Sequence, residues 1–286
     1  MKIGFIGAGK VGFTLGKYFA ENGTELSGYY SSSVASAKEA AEFTGSKYFE
    51  NAEKLIGASD VIFLTVPDGA IKDVYLSLPR EILKGKQLCH CSGALSSKDA
   101  FPEINEYGAK GTSIHPLFPV SSKYESYKVI DSAFFCIEGD CAEEWSRILS
   151  DMGNPVRIID SEIKIKYHAA CVAASNLVCG LIAESTELLT QCGFSEKEAL
   201  DAIRPLAMAN INRIFDTDPV TALTGPVERN DVSTVKKHLD ALGEGTDAEI
   251  YRSLSLKLTE MAEKRHSDAD YSEMRAVLSN KSLNNI

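Results

Sequence analysis

Two histidines in this chain of 286 residues, His115 and His168, occupy positions from which a side chain could transfer a proton. Imidazole changes its protonation near neutral pH, so histidine is the side chain most often used for acid–base catalysis. His115 follows the predicted strand 109–114 and precedes Pro116, which holds the backbone extended. A single histidine is more often structural, but one that follows a predicted strand lies beside the edge of a sheet where ligands bind. We therefore take His115 as a candidate catalytic residue.

His168 belongs to a stretch, residues 163–192, whose apolar spacing predicts one continuous helix. Polar residues recur on one face of that helix: Lys164, His168, Cys171 and Ser175, with Asn176 adjacent. Polar groups on an apolar buried face are costly unless they are hydrogen-bonded, so they form either a core network or a site. In a site, His168 would act as general acid and Asn176 would orient it. Lys164 or Lys166 could contribute charge there, or both lysines could be solvated at the helix start.

A glycine-rich turn near the start of the chain predicts a site for an anionic ligand. It follows the apolar run 2–6 and precedes a helical pattern over residues 13–22. Its glycines have the spacing G-x-G-x-x-G, in which the first permits a tight turn, the second admits a pyrophosphate and the third allows close helix packing. Free N–H groups at the helix start favour the anion. The expected dinucleotide contacts are Gly7, Gly9, Lys10, Val11 and Gly12; a purely structural glycine turn is the alternative.

The turn after the second predicted strand, residues 25–30, indicates which dinucleotide binds. NAD sites commonly place an acid there, which accepts hydrogen bonds from the ribose hydroxyls. This chain has Ser31, Ser32 and Ser33 at that turn, with Lys38 further on. Hydroxyls, backbone N–H groups and a cation suit a 2′-phosphate, although arginine would be the better phosphate partner. We predict NADP(H) as the cofactor, with Ser31 and Ser32 as contacts; a serine-rich helix cap is the alternative.

Two more strand ends contribute candidate residues at the same edge of the predicted parallel sheet. The apolar run 60–66 predicts a buried central strand, after which Pro67 and Asp68 would lie under the cofactor. A further strand, residues 87–91, ends at Ser92, and we expect either this serine or His90 to face the nicotinamide or the substrate.

The segment Cys89-His90-Cys91 leaves two other interpretations open. Its side chains could bind zinc together with His115, but adjacent residues of a strand point to opposite faces and cannot converge on one ion without distortion. His90 and Ser92 could form a base–nucleophile pair, but the G-x-S-x-G motif is absent from the sequence and no third member of a triad is evident. We predict neither a metal site nor a serine hydrolase.

The order of predicted elements indicates an α/β fold. Strands and helices alternate as far as residue 159, and only helices are predicted after it. We expect an N-terminal Rossmann dinucleotide-binding domain over residues 1–159 and a C-terminal all-helical domain over residues 160–286. A helix as long as the one predicted from residue 163 usually forms the spine of a helical bundle or a dimer.

Composition limits the classes of partner and the cellular compartment that we expect for the protein. The net charge of −10 and the pI near 5.1 argue against nucleic acid or an anionic membrane as a general partner. The apolar stretches are expected to be too short to span a membrane, and no signal peptide is expected before the first strand. The chain has 7 cysteines, an odd number without a C-x-x-C pair, which favours a reducing cytoplasm. The predicted partner is a small-molecule substrate.

Six motifs together resemble one known family. In chain order they are Gly7-x-Gly9-x-x-Gly12, Val66-Pro67-Asp68, His90-Cys91-Ser92-Gly93-Ala94, His115-Pro116, Tyr167-His168-Ala169-Ala170 with Ser175-Asn176, and Gly225-Pro226 through Arg229 and Asp231. The set resembles uncharacterised Rossmann-like oxidoreductases with a helical C-terminal domain of unknown function, within the superfamily named for the 6-phosphogluconate dehydrogenase C-terminal domain. It is similar in architecture to pyrroline-5-carboxylate reductase, ketopantoate reductase and the β-hydroxyacid dehydrogenases. The resemblance implies an NADP-binding domain, a helical dimerisation domain and a substrate cleft between them, but no substrate.

Two departures from related patterns qualify the resemblance. The β-hydroxyacid dehydrogenases use a lysine and an asparagine one helical turn apart, whereas the residue four before Asn176 is Val172. The Gly-Pro loop reads Arg229-Asn230-Asp231, where a glycine usually precedes the aspartate. We therefore predict an NADP(H)-dependent oxidoreductase for a small carbonyl, imine or alcohol, and keep a non-catalytic NADP(H)-binding regulator or scaffold as the alternative.

Overall fold

The structure, a computed structural model, describes residues 1–279 and divides into two compact units. The first unit is Met1–Asn176, and the second is Leu177–Ile286, described as far as residue 279. The last strand ends at Ile158, yet the first unit continues through the next helix because that helix packs on two of its strands. The division predicted after residue 159 stays a prediction about domain organisation.

The first unit is built on one sheet of 8 strands. Their order across the sheet is β3-β2-β1-β4-β5-β6-β7-β8, and every neighbouring pair is parallel except β6 and β7. The strands are β1 Lys2–Ile6, β2 Glu25–Tyr30, β3 Lys47–Tyr48, β4 Val61–Leu64, β5 Gln87–His90, β6 Lys110–Leu117, β7 Phe134–Gly139 and β8 Val156–Ile158. Chain order reverses at β1, so a crevice opens at the carboxyl ends of β1 and β4, where α/β proteins of this topology bind ligands.

Helices connect the strands of the first unit and cover both faces of the sheet. They are α1 Lys10–Glu21, α2 Val34–Thr44, α3 Ala52–Gly57, α4 Asp68–Ser77, α5 Ser97–Ala100, α6 Ala142–Asp151 and α7 Lys164–Ala174. Alternate residues of β4 show the two faces: Phe63 packs with Phe5 and Trp145 in one core cluster, and Ile62 packs in the other. An unbroken apolar strand buried on both faces is the pattern predicted for residues 60–66.

All the regular elements in the described part of the second unit are helices. Its helices are α8 Asn176–Gln191, which begins on the last residue of the first unit, α9 Glu196–Asp216, α10 Pro219–Ala222, α11 Val232–Leu242, α12 Thr246–Arg265 and α13 Ser272–Ser279. A separate cluster that includes Val235, Leu239 and Met274 forms its core. The predicted fold class, a Rossmann-like α/β part followed by a helical part, is confirmed.

The continuous helix predicted over residues 163–192 is wrong in one respect, because the chain breaks at Ser175. That residue has φ −125° and ψ −75°, outside the helical region, and its N–H bonds the carbonyl of Val172 at 3.3 Å in a 3₁₀-type closure. The break separates α7 from α8. Asn176 therefore does not share a helical face with His168, so the spacing argument for Asn176 fails.

The expectation that every apolar stretch is too short for a membrane span is also wrong. Residues 161–191 have the length and hydropathy of a span, and only 6% of the most apolar window is buried. Length and composition alone meet this test, as they do in the core helices of many soluble proteins. The predicted absence of a membrane partner stays a prediction.

Candidate active site

The glycine turn between β1 and α1 is held against the end of β4 by contacts that leave no room for side chains. Gly7 has φ +107°, and a Cβ there would lie 2.6 Å from the carbonyl oxygen of Thr65. A Cβ on Gly12 would lie 2.7 Å from the hydroxyl oxygen of Thr65, which donates a hydrogen bond to the Gly7 carbonyl at 2.9 Å. The fold itself therefore requires glycine at positions 7 and 12.

Gly9 differs from its two neighbours because no protein atom needs its side-chain space. Its φ of −85° suits any residue, and a Cβ would meet only the Thr65 carbonyl oxygen, at 3.9 Å. Gly9 is also the N-cap of α1, where free backbone N–H groups point outward. An open backbone beside a helix N-terminus is what a pyrophosphate requires. Lys10 is exposed at the first position of α1, and Val11 is half-buried against the core.

The predicted 2′-phosphate contacts lie beside this turn. A cleft of about 370 Å³ at the ends of β1, β2 and β4 is lined by residues that include Gly7, Ser31 and Ser32. Ser33 is occupied in capping α2, since its hydroxyl accepts from the N–H of Ser36 at 3.3 Å. Lys38, the expected cation, places its Nζ 5.4 Å from the ring centroid of Tyr48. Ser31 and Ser32 are thus placed for a ribose phosphate, and their role stays a prediction.

Ser92 is bound to the start of α4. Its hydroxyl donates to the Asp68 carboxylate at 2.5 Å and accepts from the N–H groups of Ala94 and Leu95 at 3.3 and 3.0 Å. Asp68 is the first residue of α4 and Pro67 is its N-cap, and both are exposed. Because the Ser92 proton is already donated within the protein, this geometry favours a positioning role over proton transfer.

His90 is a core residue and does not form a pair with the Ser92 hydroxyl. Its Nδ1 accepts from the backbone N–H of Ser92 at 3.2 Å, and its ring packs edge-on against Phe101 at 5.4 Å. Burial, with the charge of Lys164, lowers the pKa of His90 to about 3. Cys89 lies in the core cluster on the opposite face of the sheet. The contacts therefore support neither the zinc site nor the serine-hydrolase pair that the sequence left open.

His115 and His168 meet at the loop after β5. A Cβ on Gly93 would lie 2.5 Å from His168 Cδ2 and 2.9 Å from His115 Nε2, so Gly93 has a ring on either side of the space where its side chain would be. The two ring centroids are 6.2 Å apart. His115 Nδ1 is hydrogen-bonded to the hydroxyl of Tyr167 at 2.7 Å. Burial, then the charge of Lys164, lowers the pKa of His115 to about 4.

A buried ion pair connects the helix that carries His168 to the sheet. Lys164 and Glu138 are both 2% exposed in their side chains, with 3.4 Å between Nζ and Oε1. Lys164 also donates to the hydroxyl of Ser113. Glu138 accepts from both the N–H and the hydroxyl of Ser97, each at 2.7 Å. The pair joins α7 to β6, β7 and α5, and so positions Tyr167 and His168 over the sheet edge.

The structure brings most of the predicted catalytic residues together. Ser92, His115 and His168 surround Gly93, next to Asp68. Asn176 is exposed at the start of α8 and makes no side-chain hydrogen bond among residues 1–279. Sequence reasoning missed Tyr167 as a partner of His115 and missed Glu138, although a glutamate inside the apolar strand Phe134–Gly139 was a signal of a buried ion pair.

Comparisons with known proteins match both parts of the chain. Residues 2–92 match the family described as NADP oxidoreductase, coenzyme F420-dependent, and residues 133–258 match a domain of unknown function, DUF2520. A search of curated proteins gives no match. The predicted cofactor, NADP(H), and the predicted class, an NADP-dependent oxidoreductase, are confirmed.

Solved structures share the fold over nearly the whole chain. Protein TM1727 from Thermotoga maritima is 29% identical, covers 92% of this chain and 99% of its own, and has a TM-score of 0.73. Imine reductase from a Pseudomonas species is 16% identical, with coverages of 97% and 91% and a TM-score of 0.59. Pyrroline-5-carboxylate reductase from Streptococcus pyogenes is 17% identical, with coverages of 92% and 98% and a TM-score of 0.60. The chain thus resembles, in both its parts, the Rossmann-like NADP oxidoreductases with a helical C-terminal domain of unknown function.

Proposed function

We propose that this enzyme transfers a hydride between NADP(H) and a small carbonyl, imine or alcohol, with His115 and His168 beside the reacting group. The observation that carries the proposal is the meeting of the two imidazoles at Gly93, on the carboxyl edge of the sheet that also carries the glycine turn. Ligands of open α/β sheets bind at this edge. Reduction of a carbonyl or imine takes one hydride, which the nicotinamide would supply, and one proton, which a nearby acid–base side chain can supply.

The two histidines have different environments, which suits them to different tasks. His115 is largely buried and its low pKa keeps it neutral at physiological pH, so it can polarise a carbonyl or imine without carrying charge. His168 is half-exposed, so its imidazole is open to solvent. A bound NADPH would supply the hydride to the substrate carbon, and the π electrons of the C=O or C=N bond would move to oxygen or nitrogen. That atom then takes a proton from His168, which regains one from water.

The neighbouring structures favour an imine or carbonyl over a hydroxyacid. Two proteins that share this fold are named imine reductase and pyrroline-5-carboxylate reductase. Each name states a substrate with a C=N bond, which in pyrroline is part of a ring. The position four before Asn176, where a hydroxyacid dehydrogenase would place lysine, is Val172. These points support a substrate with a C=N or C=O group.

A homodimer through the helical unit is part of the proposal. Helices α8 and α9 have 16 and 21 residues, yet each buries a single residue, Thr186 and Ala199 respectively. Among their exposed side chains, Leu206 is 74% and Phe215 is 85% accessible. Long helices are stabilised chiefly by packing of an apolar face, so these helices need a partner. A second copy of the chain would cover that face.

The 7 cysteines are free, as expected for the reducing cytoplasm in which we place the enzyme.

The direct test is NADPH oxidation, followed by loss of its absorbance, across a panel of small carbonyls and imines. We expect substrate-dependent oxidation by the wild type and a fall in kcat of about 10²–10⁴-fold in His168→Ala, the usual contribution of a general acid. His238→Ala is the matched control, because His238 is exposed in the second unit and bonded to Tyr251 at 2.8 Å.

Two outcomes would count against the proposed chemistry. NADPH binding without turnover of any panel member would favour the alternative, a non-catalytic NADP(H)-binding regulator or scaffold. Equal turnover by His168→Ala and the wild type would remove His168 from the proton-transfer role and leave the enzyme class intact.

A further inference from the structure

We infer that Tyr167 sets the tautomer of His115, so that the imidazole presents an Nε2–H donor toward the reacting group. The inference rests on the proposed function, because it assigns the side of His115 that a substrate would meet. It adds Tyr167 to the site as a positioning residue, one that acts through His115.

The geometry between the two residues is that of a directional hydrogen bond. The Tyr167 hydroxyl oxygen lies 2.7 Å from His115 Nδ1, and the ring centroids are 5.7 Å apart at 85°. His115 is on β6 and Tyr167 is on α7, so the bond joins the sheet edge to the helix that carries His168. Such a bond fixes both the orientation of an imidazole and the nitrogen that carries its proton. At metal sites, the hydrogen-bond partner of the histidine nitrogen that does not bind the metal has the same effect.

We assign the phenol as the donor in this bond, because a phenol O–H is a stronger hydrogen-bond donor than the N–H of a neutral imidazole, and the imidazole nitrogen is the stronger acceptor. Burial raises the pKa of Tyr167, and the nearby thiols of Cys136 and Cys171 act in the same direction, so the hydroxyl keeps its proton. A neutral imidazole has one nitrogen that accepts and one that donates. If Nδ1 accepts the Tyr167 proton, Nε2 must carry the N–H of His115.

The surroundings of His115 keep the ring neutral, which the tautomer requires. The charged and titratable groups that act on it are Lys164 and His168 on α7, which disfavour its protonation, and Asp68 on α4, which favours it. Burial and Lys164 have the larger effects, and the pKa of His115 falls to about 4. The imidazole is therefore neutral across the physiological range.

The Nε2 edge of the ring is the one left free for a ligand. It lies beside Gly93, where a Cβ would be 2.9 Å from Nε2 and 3.0 Å from Cε1. Gly93 keeps this edge uncovered because it has no side chain. A neutral N–H aimed at a carbonyl oxygen or imine nitrogen stabilises the negative charge that develops there as hydride arrives at carbon.

The first test reads the tautomer directly and needs no substrate. In ¹⁵N–¹H spectra of histidine-labelled wild type near neutral pH, the His115 signals are identified by their loss in His115→Gln. We expect a protonated Nε2 and an unprotonated Nδ1. Tyr167→Phe keeps the ring and removes the donor, so we expect it to give a mixture of tautomers or an Nδ1–H. A wild-type proton on Nδ1, or an unchanged tautomer in Tyr167→Phe, would overturn the inference.

The second test separates positioning from structural support. With any substrate that the panel reveals, Tyr167→Phe should lower kcat by about tenfold or more while KM and the NADPH dissociation constant change little, since the lost interaction acts in the transition state. Tyr251→Phe, which breaks the matched Tyr251–His238 bond of 2.8 Å, is the control. An equal kcat in Tyr167→Phe and wild type would contradict the inference. If no substrate is turned over, the proposed function fails while the spectra still decide the tautomer.

Discussion

Replacing Lys164 by methionine should lower the free energy of unfolding by about 3–5 kcal/mol, the usual cost of leaving one partner of a buried ion pair alone. Lys164 and Glu138 are each only 2% exposed in their side chains. The variant would keep the carboxylate of Glu138, still bonded to Ser97, with its counter-ion removed. Denaturant unfolding, with the slope compared between variants, measures the change.

Two further variants show whether the loss of stability in Lys164→Met comes from the broken ion pair. Lys166→Met changes an exposed lysine two residues along the same helix and should have little effect on stability. The double variant Lys164→Met with Glu138→Gln removes both charges, so most of the lost stability should return. A loss within about 1 kcal/mol for Lys164→Met alone, similar to a surface substitution, would show that the pair is not the buried structural contact described above.

The same variant has a pH signature with a defined sign. In the wild type the pKa values of His115 and His90 fall to about 4 and about 3, from 6.5 in an unfolded chain. Between those values the unfolded chain binds more protons than the folded one, so stability decreases as pH falls below about 6.5. Lys164 lowers both pKa values, so its removal should raise them and reduce the loss of stability between about pH 7 and about pH 5. An unchanged pH dependence would contradict this coupling.

Replacing Gly93 by alanine should lower kcat by about 10²-fold while the protein stays folded. The added Cβ would lie 2.5 Å from His168 Cδ2 and 2.9 Å from His115 Nε2, so one or both rings must move. A displacement of about 1 Å at a catalytic group can cost that factor in rate. Overpacking costs about 1–3 kcal/mol of stability, which a protein of this size tolerates. Steady-state turnover of NADPH and thermal unfolding measure the two effects.

The control for this substitution is Gly57→Ala. Gly57 ends α3, and no neighbouring atom lies within 4 Å of the Cβ it would acquire. The two glycines lack positive φ angles, so backbone strain does not distinguish the variants. If the kcat of Gly93→Ala equals that of Gly57→Ala, the space beside Gly93 is not where the reaction takes place.

Local patterns were enough to predict the cofactor half of the molecule. The strand, the glycine turn and the helix that follow one another over residues 2–22 are contiguous, so their geometry is determined by short-range sterics. The apolar run that forms β4 likewise identified a central strand with Pro67 and Asp68 at its end. The α/β order of the elements then led to the observed fold class.

Contacts between distant segments could not be predicted in the same way. Helical spacing puts Lys164 and His168 on one face whether the lysine is solvated or buried, and the burial depends on Glu138, 26 residues earlier on another strand. Tyr167 was part of a recognised motif, but its bond to His115 spans 52 residues. The break at Ser175 lies among residues that all tolerate helix, so periodicity gave no sign of it.

The central claim is that the Gly7–Gly12 turn holds the pyrophosphate of NADP(H), since without the cofactor neither an oxidoreductase nor an NADP(H)-binding regulator remains. The most direct measurement is the NADPH dissociation constant of the wild type, Gly9→Ala and Gly57→Ala, with thermal unfolding of each. Gly9 has open space where its Cβ would lie, so Gly9→Ala should unfold like the wild type but bind NADPH about tenfold more weakly, a loss of about 1.4 kcal/mol. Gly57→Ala should bind as the wild type does. Wild-type affinity in Gly9→Ala would contradict the claim.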